Sequence, residues 1–301
     1  MNKYVITAST TCDLTIEQLK KMNIEYVSFN YYINDKKYID DFYTTFSKKD
    51  FFEEIKHSEV KTSQPEPEQY VSLWEKLILD DNDILHIELS SGISGAVNSA
   101  NIAKRLIEEK IAYKKLPDKK VIVIDSICAS MGYGLLLRFV SDKRESSDIG
   151  IGALSDYVEE IKHNINTLFF VPNLDQLIKG GRVSKLAGNI AKALGIVPVL
   201  HVDENGKLAV IKKVRGVQNA IDEIVSYSNK NIVDGENYNK YFYLGNANDI
   251  ETAKTLKNKI LDKYKNAILT DDNIYDVGTV IACHTGAGCI VMSYLGVGGR
   301  I

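Results

Sequence analysis

Residues 120–125 read KVIVID, an apolar run with no polar alternate. A strand with one wet face alternates apolar and polar side chains. An unbroken apolar strand must be covered on both faces, which is the habit of parallel sheets flanked by helices. Its neighbours repeat that theme. Residues 3–7 (KYVIT), 25–33 (EYVSFNYYI) and 83–89 (DILHIEL) are strand-like. Helical patterns lie between and after them, at 15–22, 46–57, 67–80, 94–110 and 129–141. In the third segment Tyr70, Leu73, Trp74, Leu77 and Ile78 recur at helical spacing. This β-α order predicts an N-terminal three-layer α/β/α domain around a parallel sheet.

The polar stretch 141–150, SDKRESSDIG, predicts a junction between domains spanning 1–147 and 148–301. Beyond it the pattern is a helix (152–165), a strand (167–172) and two short helices split by Gly180 and Gly181. A hairpin over 196–214 follows, with Asn205-Gly206 as the favoured pair for a type I′ turn. Helices at 217–229 and 250–264 then alternate with strands at 240–246, 267–271 and 278–283. A hairpin mixed with crossovers predicts a two-layer α/β domain with a mixed sheet.

Composition narrows the function classes. The 301 residues are 45% apolar and 26% charged, with a net charge of −3. No global basic field favours nucleic acid. No run of 18 apolar residues predicts a membrane span, and the first ten residues lack a signal-peptide core, so a cytoplasmic protein is expected. Cys12, Cys128, Cys283 and Cys289 form no CxxC pair; they are expected as reduced, buried hydrophobes, with no metal site.

In an open α/β sheet, ligands bind beyond the carboxyl ends of the strands. Four polar, glycine-marked or proline-marked stretches belong there. Residues 90–95 (SSGISG) place Ser94 between Gly92 and Gly95, where a helix N-terminus would favour a carboxylate; Ser94 could equally be a plain cap. Thr62, Ser63 and Gln64 precede two prolines and face the same choice. His284 and Thr285 open HTGAG at the end of an expected strand, either as a hydrogen-bonded histidine or as part of an anion site. Lys179, Arg182 and Lys185 surround Gly180-Gly181, as a solvated turn or as a docking patch. Ser94 with His284 as its base would make a serine hydrolase acting on an acyl ester. However, residues 92–95 are not a G-x-S-x-G elbow and no acid accompanies the histidine. The glycines of 132–134 lack the third member of a dinucleotide fingerprint, and no Walker A lysine motif exists.

Taken together, these stretches resemble the DegV family of bacterial fatty-acid-binding proteins. The residues that carry the resemblance are KTSQPEPEQY, LSSGISGAVNSA, VIDSICASMGYG, FFVPNLDQLIKGGRVSKL, GIVPVL followed by KKVRGVQNAI, and HTGAG, in order along essentially the whole chain. The resemblance implies an α/β/α domain, a second α/β domain, and one long-chain fatty acid bound between them. It implies that Thr62, Ser94 and His284 hold the carboxylate, with Ser63, Gly92, Gly95 and Thr285 supporting them. It also implies that Lys179 and Arg182 dock an ATP-dependent fatty acid kinase subunit, which forms the acyl-phosphate. On that reading the chain has no catalysis of its own and needs no cofactor, and transient membrane contact is compatible with it. Two positions depart from the family pattern: Ala8 replaces an aspartate, and Val197 stands where lysine is common.

Overall fold

A computed structural model describes residues 3–172, 174–183 and 195–300. Strands β1 (Tyr4–Ser9) and β2 (Ile24–Val27) are joined by α1 (Ile16–Lys21). Strands β3 (Asn30–Ile33) and β4 (Lys36–Ile39), helix α2 (Lys48–Glu54), strand β5 (Val60–Ser63) and helix α3 (Pro67–Leu79) follow. Then come β6 (Asp83–Glu88), α4 (Ala96–Ala112), β7 (Val121–Asp125) and α5 (Ser130–Ser146). The strand order β2-β1-β6-β7 is wholly parallel, as the KVIVID run requires.

The pleat of that sheet sorts its side chains. Ile84, Val121 and Val27 pack under α3 and α4 with Tyr70, Trp74 and Ile107. Ile6, Leu85, Ile87 and Ile124 point the other way, into a core shared with α5. Helix α4 turns small buried residues (Ala96, Ala100, Ala103) toward its neighbours, which lets it lie close to α3.

The remaining elements are α6 (Ile151–Ile161), β8 (Ile165–Phe170), α7 (Asp175–Lys179), β9 (Ile196–Val202), β10 (Leu208–Arg215) and α8 (Val217–Ser228). They are followed by β11 (Tyr243–Asn246), α9 (Ile250–Lys263), β12 (Ile274–Asp276), α10 (Thr279–Thr285) and β13 (Ile290–Leu295). The second sheet runs β10-β9-β8-β13-β11-β12, antiparallel except for the β11–β12 pair. Leu168, Phe170 and Met292 face α8 and α9. Phe169 and Val291 face the core that α5 shares. Helix α5 therefore lies between the two sheets, touching β8, β11 and β13. The fold is mixed α/β, with one parallel and one mixed sheet.

Several expectations are corrected. Residues 278–283 form no strand: GTVIAC opens α10, with Gly278 as its N-cap and Gly286 (φ 73°) closing it. HTGAG thus ends a helix and leads into β13. Residues 267–271 contribute only an isolated bridge, Ile268 to Tyr241, and the strand lies later, at β12. Residues 25–33 are two strands, because β3 leaves the parallel sheet for a small antiparallel one ordered β4-β3-β5. Helix α5 runs past its expected end at 141 to Ser146, stopping just before the expected boundary at 147/148. The hairpin forms, but not through a type I′ turn. Asn205 is not at positive φ, whereas Gly206 is (70°). Asp203 builds a longer loop: its Oδ1 accepts from Asn205 and Lys207 N–H, both at 2.9 Å. The second short helix expected after Gly181, together with Lys185, lies outside the described residues.

Candidate functional site

Chain order places β1 at the topological switch of the parallel sheet, since β2 lies on one side and β6 on the other. A crevice opens where strand connections diverge in this way. The strand end at β6 is held by a buried polar network. Glu88, wholly buried, accepts from Ser9 Oγ (2.6 Å), Tyr70 OH (2.7 Å) and Leu89 N–H (2.6 Å). His86 Nε2 stands 3.1 Å from the same carboxylate, and Thr7 Oγ1 is 2.9 Å from His86 Nδ1. A fully satisfied buried network rigidifies what it touches. Here it fixes the exit of β6 into residues 89–95. Sequence reading passed over this network, although a histidine and a glutamate two apart in DILHIEL share one face of a buried strand.

Beyond that exit lies a cavity of about 340 Å³ between the two sheets, within the size range of small-ligand sites. Its wall is mostly apolar, with Phe29, Leu89, Ile93, Phe169, Val280 and Val291 prominent. Thr62, Ser63, Ser94, Arg182, His284 and Thr285 also line it.

Thr62 sits on β5, paired with Tyr31 of β3, rather than at a loop–helix junction. The cap of α3 is Glu66, in a capping box with Gln69. Neither Ser63 nor Gln64 serves that helix start. Gln64 reaches α4 instead, donating to Ser99 Oγ (2.8 Å). A Cβ at position 95 would lie 2.4 Å from Gln64 Oε1, which is why Gly95 suits this approach. Ser94 is not the N-cap of α4, which is Gly95. Its hydroxyl still accepts from Ala96 N–H (3.2 Å).

Thr62 Oγ1 and His284 Nε2 are 2.8 Å apart. The small antiparallel sheet brings β5 against α10, whose last turn carries His284. On its other side the imidazole meets Gly180, where a Cβ would come within 2.4 Å of Nδ1. Burial and the nearby Arg182 charge lower the His284 pKa to about 4, so the ring is neutral at pH 7. Arg182 donates through Nε to Ile93 O (3.2 Å) and through its guanidinium to Gly180 O. Burial pulls its pKa below the ordinary arginine value, and no carboxylate among the described residues pairs with it. Thr62, Ser94, His284 and Arg182 thus converge on one end of the cavity. Lys179 does not join them: it is exposed at the end of α7, beside a separate recess with Lys56 and Gln176.

The hydrolase arrangement is not assembled. His284 bonds Thr62 rather than Ser94, and no described carboxylate orients its other nitrogen. Gly92 has a steric role. A Cβ there would lie 2.6 Å from Gly206 O, so the β9–β10 loop closes directly over it. Ser90 Oγ donates to that same carbonyl (2.8 Å). Ala8 is buried in the core shared with α5, and Val197 lies on the α8 side of the second sheet. Neither lines the cavity. All four cysteines are free and buried. No group of three or more metal-ligating side chains gathers among the described residues. No helix among them is long and apolar enough to cross a membrane.

Comparison with known proteins agrees with this architecture. A DegV domain-containing protein of Staphylococcus aureus is 31% identical over 296 residues, spanning 96% of this chain and 98% of the relative. A DegV lipid-binding protein from Thermotoga maritima superposes with a TM-score of 0.83 at 25% identity, covering 98% of this chain and 99% of that one. The fatty acid kinase B3 protein of Streptococcus pneumoniae, solved with linoleic acid, shares the fold at TM-score 0.82 and 21% identity, covering 97% and 99%. The model of the DegV family, described as an uncharacterised protein family, matches residues 3–296, and this chain belongs to that family.

Proposed function

We propose that this protein binds one long-chain fatty acid and presents its carboxylate to an ATP-dependent kinase subunit for conversion to the acyl-phosphate. The observation that carries the reading is the cavity: an apolar interior with Thr62, Ser94, His284 and an unpaired arginine at one end. A half-buried cation with no carboxylate partner among the described residues suits an anion. With His284 neutral, Arg182 supplies the countercharge, while Thr62 and Ser94 offer hydroxyl donors. The chain itself is the lipid-binding partner and performs no chemistry. Lipid binding by the Thermotoga relative and linoleate loading of the Streptococcus kinase protein support the assignment.

The energetics divide the work. Burying about fourteen methylenes at ~0.8 kcal/mol each amounts to roughly 10 kcal/mol before entropy costs. A hydrogen bond to a charged group adds about 1.5–3 kcal/mol. The apolar wall therefore supplies most of the affinity and the polar end sets position. Organic extraction of the purified protein followed by mass spectrometry tests the first half: one equivalent of free fatty acid is expected. A protein that carries none and takes none up would overturn the reading. Incubation with kinase and ATP, with hydroxylamine trapping of the acyl-phosphate, tests the second half.

A further inference from the structure

Two hydroxyl-bearing residues interrupt the apolar wall away from the carboxylate end. Ser130, on the first turn of α5, and Thr167, on β8, both line the cavity and are 4% exposed. Two residues beyond Ser130, Gly132 faces Thr167: a Cβ there would lie 2.0 Å from Thr167 Oγ1. The two positions therefore belong to one patch of wall, where α5 meets β8. Ser130 adopts φ 51°, a left-handed conformation uncommon for serine.

Each hydroxyl has one partner and one valence to spare. Ser130 Oγ donates to Asp13 Oδ2 (2.6 Å), which leaves its lone pairs as acceptors. Thr167 Oγ1 accepts from Ser293 Oγ (3.1 Å), which leaves its proton as a donor. A plain alkyl chain would meet neither need, and a desolvated donor facing hydrocarbon is costly. A chain hydroxyl meets both, because it donates and accepts at once; it also tolerates either arrangement of the protons.

Depth along the chain follows from register. Ser293 lies directly across from Thr167. Cys289, which packs against Thr285 near the carboxylate end, is four residues earlier, about 13 Å of extended chain. We propose that Ser130 and Thr167 form a subsite for an oxygen function well along the acyl chain, so that the preferred ligand is a mid-chain hydroxy fatty acid rather than a plain saturated one. The inference rests on the fatty-acid reading of the same cavity.

The test uses delipidated full-length protein and four C18 probes: stearate, 10-hydroxystearate, 12-hydroxystearate and 2-hydroxystearate. A 10- or 12-hydroxy acid is expected to bind about tenfold more tightly than stearate, the worth of one to two net hydrogen bonds. In Thr167→Val that ratio should collapse toward one, and Ser130→Ala should reduce it as well. The ratio is internal to each variant and does not depend on its stability. If either variant fails to fold, the probe series on the wild-type chain still decides. Equal binding of all four acids, or a preference for 2-hydroxystearate, overturns the subsite while leaving the fatty-acid reading intact. Failure of every probe to bind overturns the fatty-acid reading itself.

Discussion

At the scale of single residues, the polar end of the cavity keeps one charge and suppresses another, which suits the proposed carboxylate. Arg182 remains cationic, while burial of His284 and, second to it, the Arg182 field hold the imidazole neutral. Thr62 then has one defined neighbour, and its replacement has two effects. Thr62→Ala removes a ligand donor and leaves His284 Nε2 without its partner. Fatty-acid affinity should fall by about ten- to a hundredfold, since one hydrogen bond to a charged group is at stake. Acyl-phosphate formation should fall further, because the carboxylate is misplaced. Equal losses in the two assays would argue against a positioning role. The histidine also predicts a pH dependence. Its folded pKa lies below the unfolded value of 6.5, so the unfolded state binds the proton first on acidification. Stability should therefore drop between about pH 6.5 and pH 4, by about 3 kcal/mol for a shift of this size. Asp13 and Asp40 act in the opposite sense, since burial raises both carboxyl pKa values. Comparing urea unfolding of wild type and His284→Gln at pH 7.5 and 4.5 isolates the histidine: its contribution to the acid loss should be missing in the variant.

At the scale of elements, the β9–β10 hairpin acts as the cover of the 90–95 loop. The contact is backbone on backbone at Gly92, so the strain of an added methyl cannot be relieved by turning a side chain. Gly92→Ala should destabilise the protein by about 1–3 kcal/mol, measured by chemical denaturation. Ser90→Ala, which deletes the hydrogen bond to Gly206 O and the one that Ser90 Oγ accepts from Gly92 N–H (3.1 Å), should cost about 1–2 kcal/mol. A Gly92→Ala variant as stable as wild type would mean that the hairpin does not rest on this loop. Elements also show where sequence reading stops. The first-half helices and the parallel strands were legible because each carries a local hydrophobic pattern of its own. Helix α10 was not. TVIAC is short, apolar and β-branched, and periodicity cannot separate a buried helix turn from a strand in so few residues. The usable signal was the pair of flanking glycines, Gly278 before and Gly286 after, the second at the position where helices end in a left-handed residue. The same limit hid β3–β4–β5. That sheet is set by tertiary pairing between residues 30–33 and 60–63, and no local pattern reports it.

At the scale of the whole molecule, the cavity lies between two sheets that share α5 as a common layer. Thr62 and Ser94 come from the first half of the chain, and Arg182, His284 and Phe169 from the second. The residue types were legible as separate polar junctions, but their convergence came only through the family resemblance, because it depends on how the halves are packed. An occupant of this cavity touches both halves and is lost when either unfolds, so it must add to global stability rather than to one element. Binding stabilises the native state by RT ln(1 + [L]/Kd), about 2.7 kcal/mol at a hundredfold excess over Kd. Delipidated protein should therefore unfold at a lower temperature than protein as purified, and added long-chain fatty acid should restore the difference in a concentration-dependent way. Octanoate should restore much less, since each missing methylene removes about 0.8 kcal/mol of burial. Scanning calorimetry with an acyl-length series reads this directly. A midpoint that does not respond to any chain length would mean that the space between the sheets is packing void rather than a binding site.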